Sequence, residues 1–285
     1  MGGSLSKCEQ CGHDVPHSER VCPVCGKDAG YPNVRLAESL SEVAALGTRF
    51  AAAVLSADVR GVAGELASFS LAVGSSKAVM NRRLDSLQSW LNSNNPRWIS
   101  FHQQVRSGGR LPEDTSWDQQ RTSAENTINP SFFKDLSDAA LSLDRLGMAY
   151  YGPYCVVLKE ELIAHRASVF EENPFEFNRR HSVISGQMPP PGYRAPWARR
   201  DQLAVSKLVD KVLSGMSDTD FPDVLMEPRR EAADCDFMEV HIYGPIHHVA
   251  IEHVSGPIPK VRPDRAIWKQ VKRRLRDLGA SWDEY

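Results

Sequence analysis

The sequence predicts an α+β fold: an N-terminal four-cysteine zinc ribbon, then a helical region, then a mixed α/β domain with a small sheet. Three observations predict it. Four of the six cysteines lie within the first 25 residues. Apolar residues recur at helical spacing over residues 34–93. After residue 147, short apolar strands alternate with helical segments. We place the three parts at residues 1–32, 33–95 and 96–285.

The composition is that of a globular protein. Of the 285 residues, 41% are apolar and 25% are charged. The net charge of -2 predicts no general attraction to nucleic acid or anionic lipid. We expect no membrane span, because no apolar run of about 18 residues is present. The uneven spread of cysteines argues against a disulfide framework and favours a cytoplasmic location.

The N-terminal cysteines form two CxxC pairs, each followed by a glycine, in "CEQCGHDVPHSERVCPVCG". Each CxxCG turn points two thiolates at one position, and two such turns complete a tetrahedral sulfur set suited to Zn²⁺. The segment resembles the zinc ribbons of many bacterial proteins. A closed four-sulfur site has no open position, so the zinc is expected to be structural. The predicted ligands are Cys8, Cys11, Cys22 and Cys25.

Three helices are predicted in the region that follows. The first covers residues 34–56, and Asp58 is a candidate cap of the second, which runs to about Val73. The third covers "SSKAVMNRRLDSLQSWLN", with Ser75 or Ser76 as its cap. These helices either pack on the main domain or form a surface for self-association or a protein partner.

The second half mixes helices and strands. Residues 136–146 are predicted as a helix ending at Gly147. Next come a strand at Tyr154–Leu158, a short helix over residues 159–164 and a strand in "RASVF". A further helix is expected from about Trp197 to Leu213.

The stretch "FMEVHIYGPIHHVAIEH" at residues 237–253 is the richest in chemical groups. Successive side chains of a strand point to opposite faces. The alternation predicts one face for the core and one polar face, which either meets solvent or lines a cleft. The core face carries Met238, Val240 and Ile242, and the polar face carries Glu239, His241 and Tyr243.

"MEVHIYGPI", together with the upstream "YGPYCVVLKEELIAHRASVF", resembles the strands of bacterial ADP-ribosyltransferase-like proteins. The resemblance implies an NAD-dependent effector or toxin. Glu239 would stabilise the oxocarbenium-like ribose as nicotinamide leaves, with His241 and Tyr243 beside it. Arg166 and Ser168 match the Arg-x-Ser element of the family. Arginines can hold a pyrophosphate through paired hydrogen bonds, and Arg166 or the group of Arg194, Arg199 and Arg200 are candidates.

Two other functions remain open. One is a non-enzymatic module that contacts nucleic acid through the ribbon and a basic stripe on the C-terminal helix. The stripe consists of Lys269, Lys272, Arg273 and Arg276. The other is a metal-dependent nuclease that uses the histidines of residues 241–253. In that segment the candidate ligands are His241, His247, His248, Glu252 and His253.

Overall fold

The computed structural model confirms the α+β class. It describes residues 5–16, 18–94, 96–106, 116–184, 186–227 and 235–285. The strands in chain order are β1 Leu5–Lys7, β2 Asp14–Pro16, β3 Lys77–Arg82, β4 Arg97–Trp98, β5 Leu136–Ser142, β6 Tyr154–Leu158, β7 Ala167–Phe170, β8 Arg194–Pro196, β9 Glu239–Tyr243, β10 Ile246–His247, β11 Ile251–Gly256 and β12 Ser281–Glu284. The α-helices are α1 Pro32–Ala37, α2 Leu40–Arg60, α3 Ala63–Gly74, α4 Leu84–Asn92, α5 Phe101–Arg106, α6 Ser116–Ile128, α7 Glu160–Ile163, α8 Pro174–Arg180, α9 Arg200–Leu208, α10 Phe221–Leu225 and α11 Arg262–Asp277.

Eight strands form one mixed sheet in the order β12-β11-β6-β3-β5-β9-β7-β8. All neighbours pair antiparallel except β11 and β12, which are parallel. Two small antiparallel ladders lie outside this sheet: β1 with β2, and β10 with β4. Residues 33–95 contribute β3 to the centre of the sheet.

The two faces of the sheet differ. One face carries the main hydrophobic core, in which Met80, Leu141, Val156 and Val240 pack against α2, α3, α4, α9 and α11. The opposite face carries smaller apolar clusters separated by polar side chains. We call this second side the polar face. It holds the candidate site.

One predicted helix is a strand, and another is a strand in its first half. Residues 77–82 form β3, in place of the predicted helix capped by Ser75 or Ser76, and only α4 of that segment is helical. Residues 136–142 form β5 instead of a helix. Both strands pair on two sides and are buried, so burial of both faces hides the alternation that normally marks a strand. Pairing with neighbours then overrides the helical propensity of their Lys, Ala, Met and Leu residues.

The first predicted helix is divided. α1 ends at Ala37 and α2 begins at Leu40, with Ser39 as the N-cap of α2. α2 then ends at Arg60, and its C-cap Gly61 adopts a left-handed conformation with φ of 70°. By length and composition alone, α2 meets the requirements of a membrane-crossing helix, as do many helices of globular proteins.

Candidate functional site

The four N-terminal cysteines form a compact sulfur cluster. Their Sγ atoms all lie within 4.8 Å of one another. The Cys8–Cys25 pair is separated by 3.5 Å and the Cys11–Cys22 pair by 3.7 Å. Four Zn–S bonds of about 2.3 Å at tetrahedral angles place the sulfurs about 3.8 Å apart. The cysteine cluster therefore fits a tetrahedral metal ion such as Zn²⁺, as the sequence predicts.

Each CxxC turn is closed by its glycine. Gly12 and Gly26 have φ of 71° and 72°, and their N–H groups donate to the carbonyls of Cys8 and Cys22. Backbone N–H groups of Cys11 and Gln10 lower the pKa of the Cys8 thiol to about 6. Such donors stabilise a thiolate, which is the form that binds metal.

The ribbon is attached to the sheet through aromatic and arginine contacts. The guanidinium of Arg20 lies 4.4 Å above the ring of Tyr31, which contacts the ring of Tyr243 at 5.7 Å. Arg35 of α1 donates to the carbonyl of Pro16 over 3.0 Å. Tyr243, predicted as a catalytic residue, therefore lies at the junction between the ribbon and β9.

A cavity of about 450 Å³ opens on the polar face. We call it the sheet cavity. Its walls include Glu239 of β9, Asp138 of β5 and Asn81 of β3. Arg82, the last residue of β3, and Arg83, which precedes α4, also line it.

Glu239, His241 and Asp138 meet in this region. The register pairs His241 with Asp138, while Glu239 lies one pleat away on the same face. One ligand atom from each of the three side chains lies within 4.8 Å of the others. Glu239 and His241 are buried, with exposures of 7% and 3%. The polar set predicted for β9 thus places Glu239 at the wall of a cavity.

The imidazole of His241 is held by a chain of hydrogen bonds. Arg194 donates to Asn129 Oδ1 over 3.2 Å, which fixes the orientation of that amide. Asn129 Nδ2 then faces His241 Nδ1 at 3.2 Å and donates to it. A neutral imidazole has one donor and one acceptor, so Nε2 carries the proton. Nε2 lies 3.8 Å from Glu239 Oε1.

Burial controls the charge of this histidine. Loss of solvation lowers the pKa of His241 to about 4. His241 is therefore neutral at physiological pH, and its protonated Nε2 lies beside Glu239 at a distance longer than a hydrogen bond. Because Nδ1 accepts a hydrogen bond and Nε2 is protonated, this ring has no lone pair for a metal ion. The carboxylate oxygens of Asp138 and Glu239 have lone pairs that can bind one.

The residues expected to bind NAD have internal contacts. Arg166 donates to the carbonyl of Pro245 over 3.1 Å. The hydroxyl of Ser168 accepts from Asn33 Nδ2 over 3.2 Å. Neither Arg166 nor Ser168 lines the sheet cavity.

The three arginines further along the chain have different surroundings. Arg194 is buried and forms an ion pair with Glu42 at 3.0 Å. Arg200 is also buried and donates to the carbonyl of Trp197 and the hydroxyl of Ser76. Arg199 is exposed. The structure brings Arg194 close to the candidate site, but as a support of Asn129.

The other histidines of residues 241–253 lie apart from His241. His247 belongs to β10, and its ring contacts that of His248 at 4.5 Å. His253 lies on β11, in the same sheet but several strands away from β9, and its Nδ1 is 2.8 Å from the hydroxyl of Ser281. Glu252 pairs with Lys77. Among the described residues, His247, His248, Glu252 and His253 belong to no cluster close enough to share a metal ion.

A further acidic cluster joins Glu171, Glu172 and His181. Burial raises the pKa of both carboxyl groups. Arg49 pairs with Glu171 at 2.6 Å, and Arg180 pairs with Glu172 at 3.1 Å. These two arginines already neutralise the carboxylates, so the cluster is an internal ion-pair network.

No protein-family model matches this chain, and no curated protein is significantly similar to it. The resemblance to ADP-ribosyltransferase-like proteins thus rests on the short motifs alone.

Asp138, Arg82 and Arg83 are not predicted from the sequence as site residues. The sequence pattern predicts a helix at Asp138, and the two arginines fall in the middle of another predicted helix. The available signal is the single acid inside the apolar run "LSDAALS", which is unusual for a buried strand.

Proposed function

We propose that the chain is a divalent-metal-dependent enzyme that acts on phosphate esters in the sheet cavity. The observation that carries the proposal is the meeting of Asp138 and Glu239 at the wall of this cavity, with the imidazole of His241 3.8 Å from Glu239. Mg²⁺ and Mn²⁺ prefer oxygen ligands, and they are often held by one or two carboxylates together with substrate phosphates.

His241 lies next to Glu239 on the same face of β9. Carboxylates that bind metals are themselves oriented by hydrogen-bond donors, and such partners are important for affinity. The neutral imidazole lies beside Glu239 and could donate to it after a shift of less than about 1 Å, without adding a positive charge that would repel a cation. The chain from Arg194 through Asn129 keeps the imidazole in the required tautomer.

The charge at the cavity favours a phosphate-bearing substrate. Arg83 is exposed, and the guanidinium of Arg82 lies 4.1 Å above the ring of Trp98. Both arginines line the same cavity as the two carboxylates. Arginine matches the geometry of phosphate oxygens. A bound cation supplies Lewis-acid activation of a phosphate ester, and the protein residues position the ester.

The test measures metal binding and turnover separately. Zinc-loaded protein in otherwise metal-free buffer is titrated with Mn²⁺ by calorimetry, and Mg²⁺- or Mn²⁺-dependent hydrolysis of bis(p-nitrophenyl) phosphate is followed. Asp138→Asn and Glu239→Gln should each weaken Mn²⁺ binding at least tenfold and abolish turnover. Glu252→Gln, which alters a sheet carboxylate outside the cavity, should change neither. Equal Mn²⁺ affinity in all four proteins would overturn the proposal.

The NAD-dependent transferase is the second candidate, because its essential carboxylate, Glu239, lines a ligand-sized cavity. That reaction needs no divalent metal at Asp138. Nicotinamide release from NAD in metal-free buffer, lost in Glu239→Gln and retained in Asp138→Asn, would support the transferase and reject the metal-dependent enzyme.

A further inference from the structure

One face of α11 is lined by five cations. They recur at steps of three or four residues, so they lie along a single helix face. All five side chains are exposed. We call this face the α11 track, and it consists of Arg262, Arg265, Lys269, Arg273 and Arg276.

The contacts define which residues belong to the track. Lys272, which the sequence placed in the stripe, is half-buried and pairs with Glu284 at 2.7 Å. Arg274 donates to Asn92 Oδ1 over 3.0 Å. In the part of the chain that the structure describes, no member of the track pairs with an acid. Arg276 lies over the ring of Trp282 at 5.7 Å.

α11 lies on the core face of the sheet and the sheet cavity lies on the polar face, but the first turns of α11 come near the junction of β3 and α4, where the cavity begins. α11 packs on α4, and two contacts fix their relative direction: Gln88 with Gln270 at 3.0 Å, and Asn92 with Arg274 at 3.0 Å. Both helices therefore run the same way. The first turn of α4, where Arg83 and Ser86 line the cavity, lies beside the first turns of α11.

We propose that the α11 track binds the sugar-phosphate backbone of a nucleic-acid strand and directs that strand into the sheet cavity. Binding along the track does not depend on the proposed function, whereas entry of a reacting phosphate into the cavity rests on it. From Arg262 to Arg276 the helix rises roughly 21 Å. That distance spans about six phosphates of a duplex strand, so the track exceeds the length of a mononucleotide.

The packing of α11 favours a polynucleotide over a lipid surface. A helix that lies in a membrane interface presents an apolar face opposite its cations. In α11 that face is occupied by the core, because Trp268, Val271 and Leu275 are buried against the sheet and α4. Only the charged side is available to a partner. The chain as a whole has a charge of -2, so any affinity for a polyanion must come from such a local surface.

The experiment compares two double charge reversals of equal net change. Arg265→Glu/Arg273→Glu alters the track. Each new carboxylate lies one turn from the ammonium group of Lys269, and this pairing of opposite charges helps to keep α11 helical. Arg179→Glu/Arg199→Glu alters two exposed arginines outside α11, one on α8 and one just before α9. Fluorescence anisotropy with labelled 20-nucleotide single strands and duplexes, without divalent metal, gives the affinity at several salt concentrations.

We expect the track variant to bind at least tenfold more weakly near 0.1 M salt, with a salt slope smaller by about 2. The control variant should stay within twofold of the parent protein. Equal weakening in both variants, or tighter binding of the parent protein to vesicles containing phosphatidylserine than to either nucleic acid, would overturn the track. Specific binding without metal-dependent turnover would support the track and reject the proposed phosphoesterase function alone.

Discussion

At the scale of single residues, His241 contributes a proton donor whose charge is suppressed by burial. An exposed imidazole titrates near pH 6.5, whereas the pKa of His241 is about 4. Below pH 6.5 this histidine binds a proton in the unfolded chain but stays neutral in the folded chain. The stabilisation that results from the low pKa is therefore fully present above pH 6.5. The unfolding free energy falls as the pH is lowered towards 4, by at most about 1.4 kcal/mol per pH unit.

Replacement of His241 by glutamine should remove this dependence of stability on pH. The parent protein should lose about 2 kcal/mol more unfolding free energy than the variant between pH 7.5 and pH 5. Urea unfolding at both pH values measures this difference. His165→Gln, which removes an exposed imidazole, is the control and should follow the parent protein. Parallel losses in the parent protein and His241→Gln would show that this ring titrates normally.

Gly152 packs against the backbone of Arg82, which lines the sheet cavity. Its φ is 146°, and a Cβ atom there would lie 2.3 Å from the backbone carbon of Arg82. Both the conformation and the collision oppose a side chain. Gly152→Ala should cost about 3 kcal/mol of unfolding free energy and displace Arg82. Gly186→Ala, where φ is 88° but no atom lies within 4 Å, should cost only about 1 kcal/mol. Equal costs in chemical denaturation would contradict the proposed collision.

At the scale of elements, a strand can be predicted from sequence where polar and apolar residues alternate along it. β9 alternates polar and apolar residues because its two faces meet different surroundings, and its faces can be assigned from sequence. β3 and β5 lie in the sheet centre, where both faces are buried and no alternation remains. Asp138 is hidden for the same reason, because its proximity to Glu239 depends on pairing between strands about 100 residues apart in the chain.

One substitution in α2 should raise the stability of the protein. Gly47 lies in the middle of this helix and is exposed, and a Cβ atom added there would have no atom within 4 Å. Gly47→Ala should raise the unfolding free energy by about 0.5–1 kcal/mol, because alanine loses less backbone entropy. Gly61→Ala, at the left-handed end of the same helix, should lower it by about 1 kcal/mol. Chemical denaturation of the two variants checks the opposite signs.

At the scale of the whole molecule, strand β9 runs from the ribbon to the sheet cavity. Tyr243 at one end of β9 contacts Tyr31 beside the ribbon, while Glu239 at the other end lines the cavity. The ribbon has its own small cluster, in which Val15 is buried among the cysteines. So small an apolar core cannot hold a fold without a metal ion. The sheet has a separate and much larger core.

Removal of the metal should therefore unfold the ribbon and leave the sheet intact. We expect about one zinc ion per chain by elemental analysis, and chelation should expose new tryptic sites after Arg20 and Lys27. In the folded ribbon these side chains pair with Asp28 and Glu9. Cys22→Ser should show the same cleavage without chelator and no further change with it, while the α-helical circular dichroism signal stays nearly constant in every case. A loss of that signal on chelation would mean that the sheet and its helices depend on the ribbon for stability.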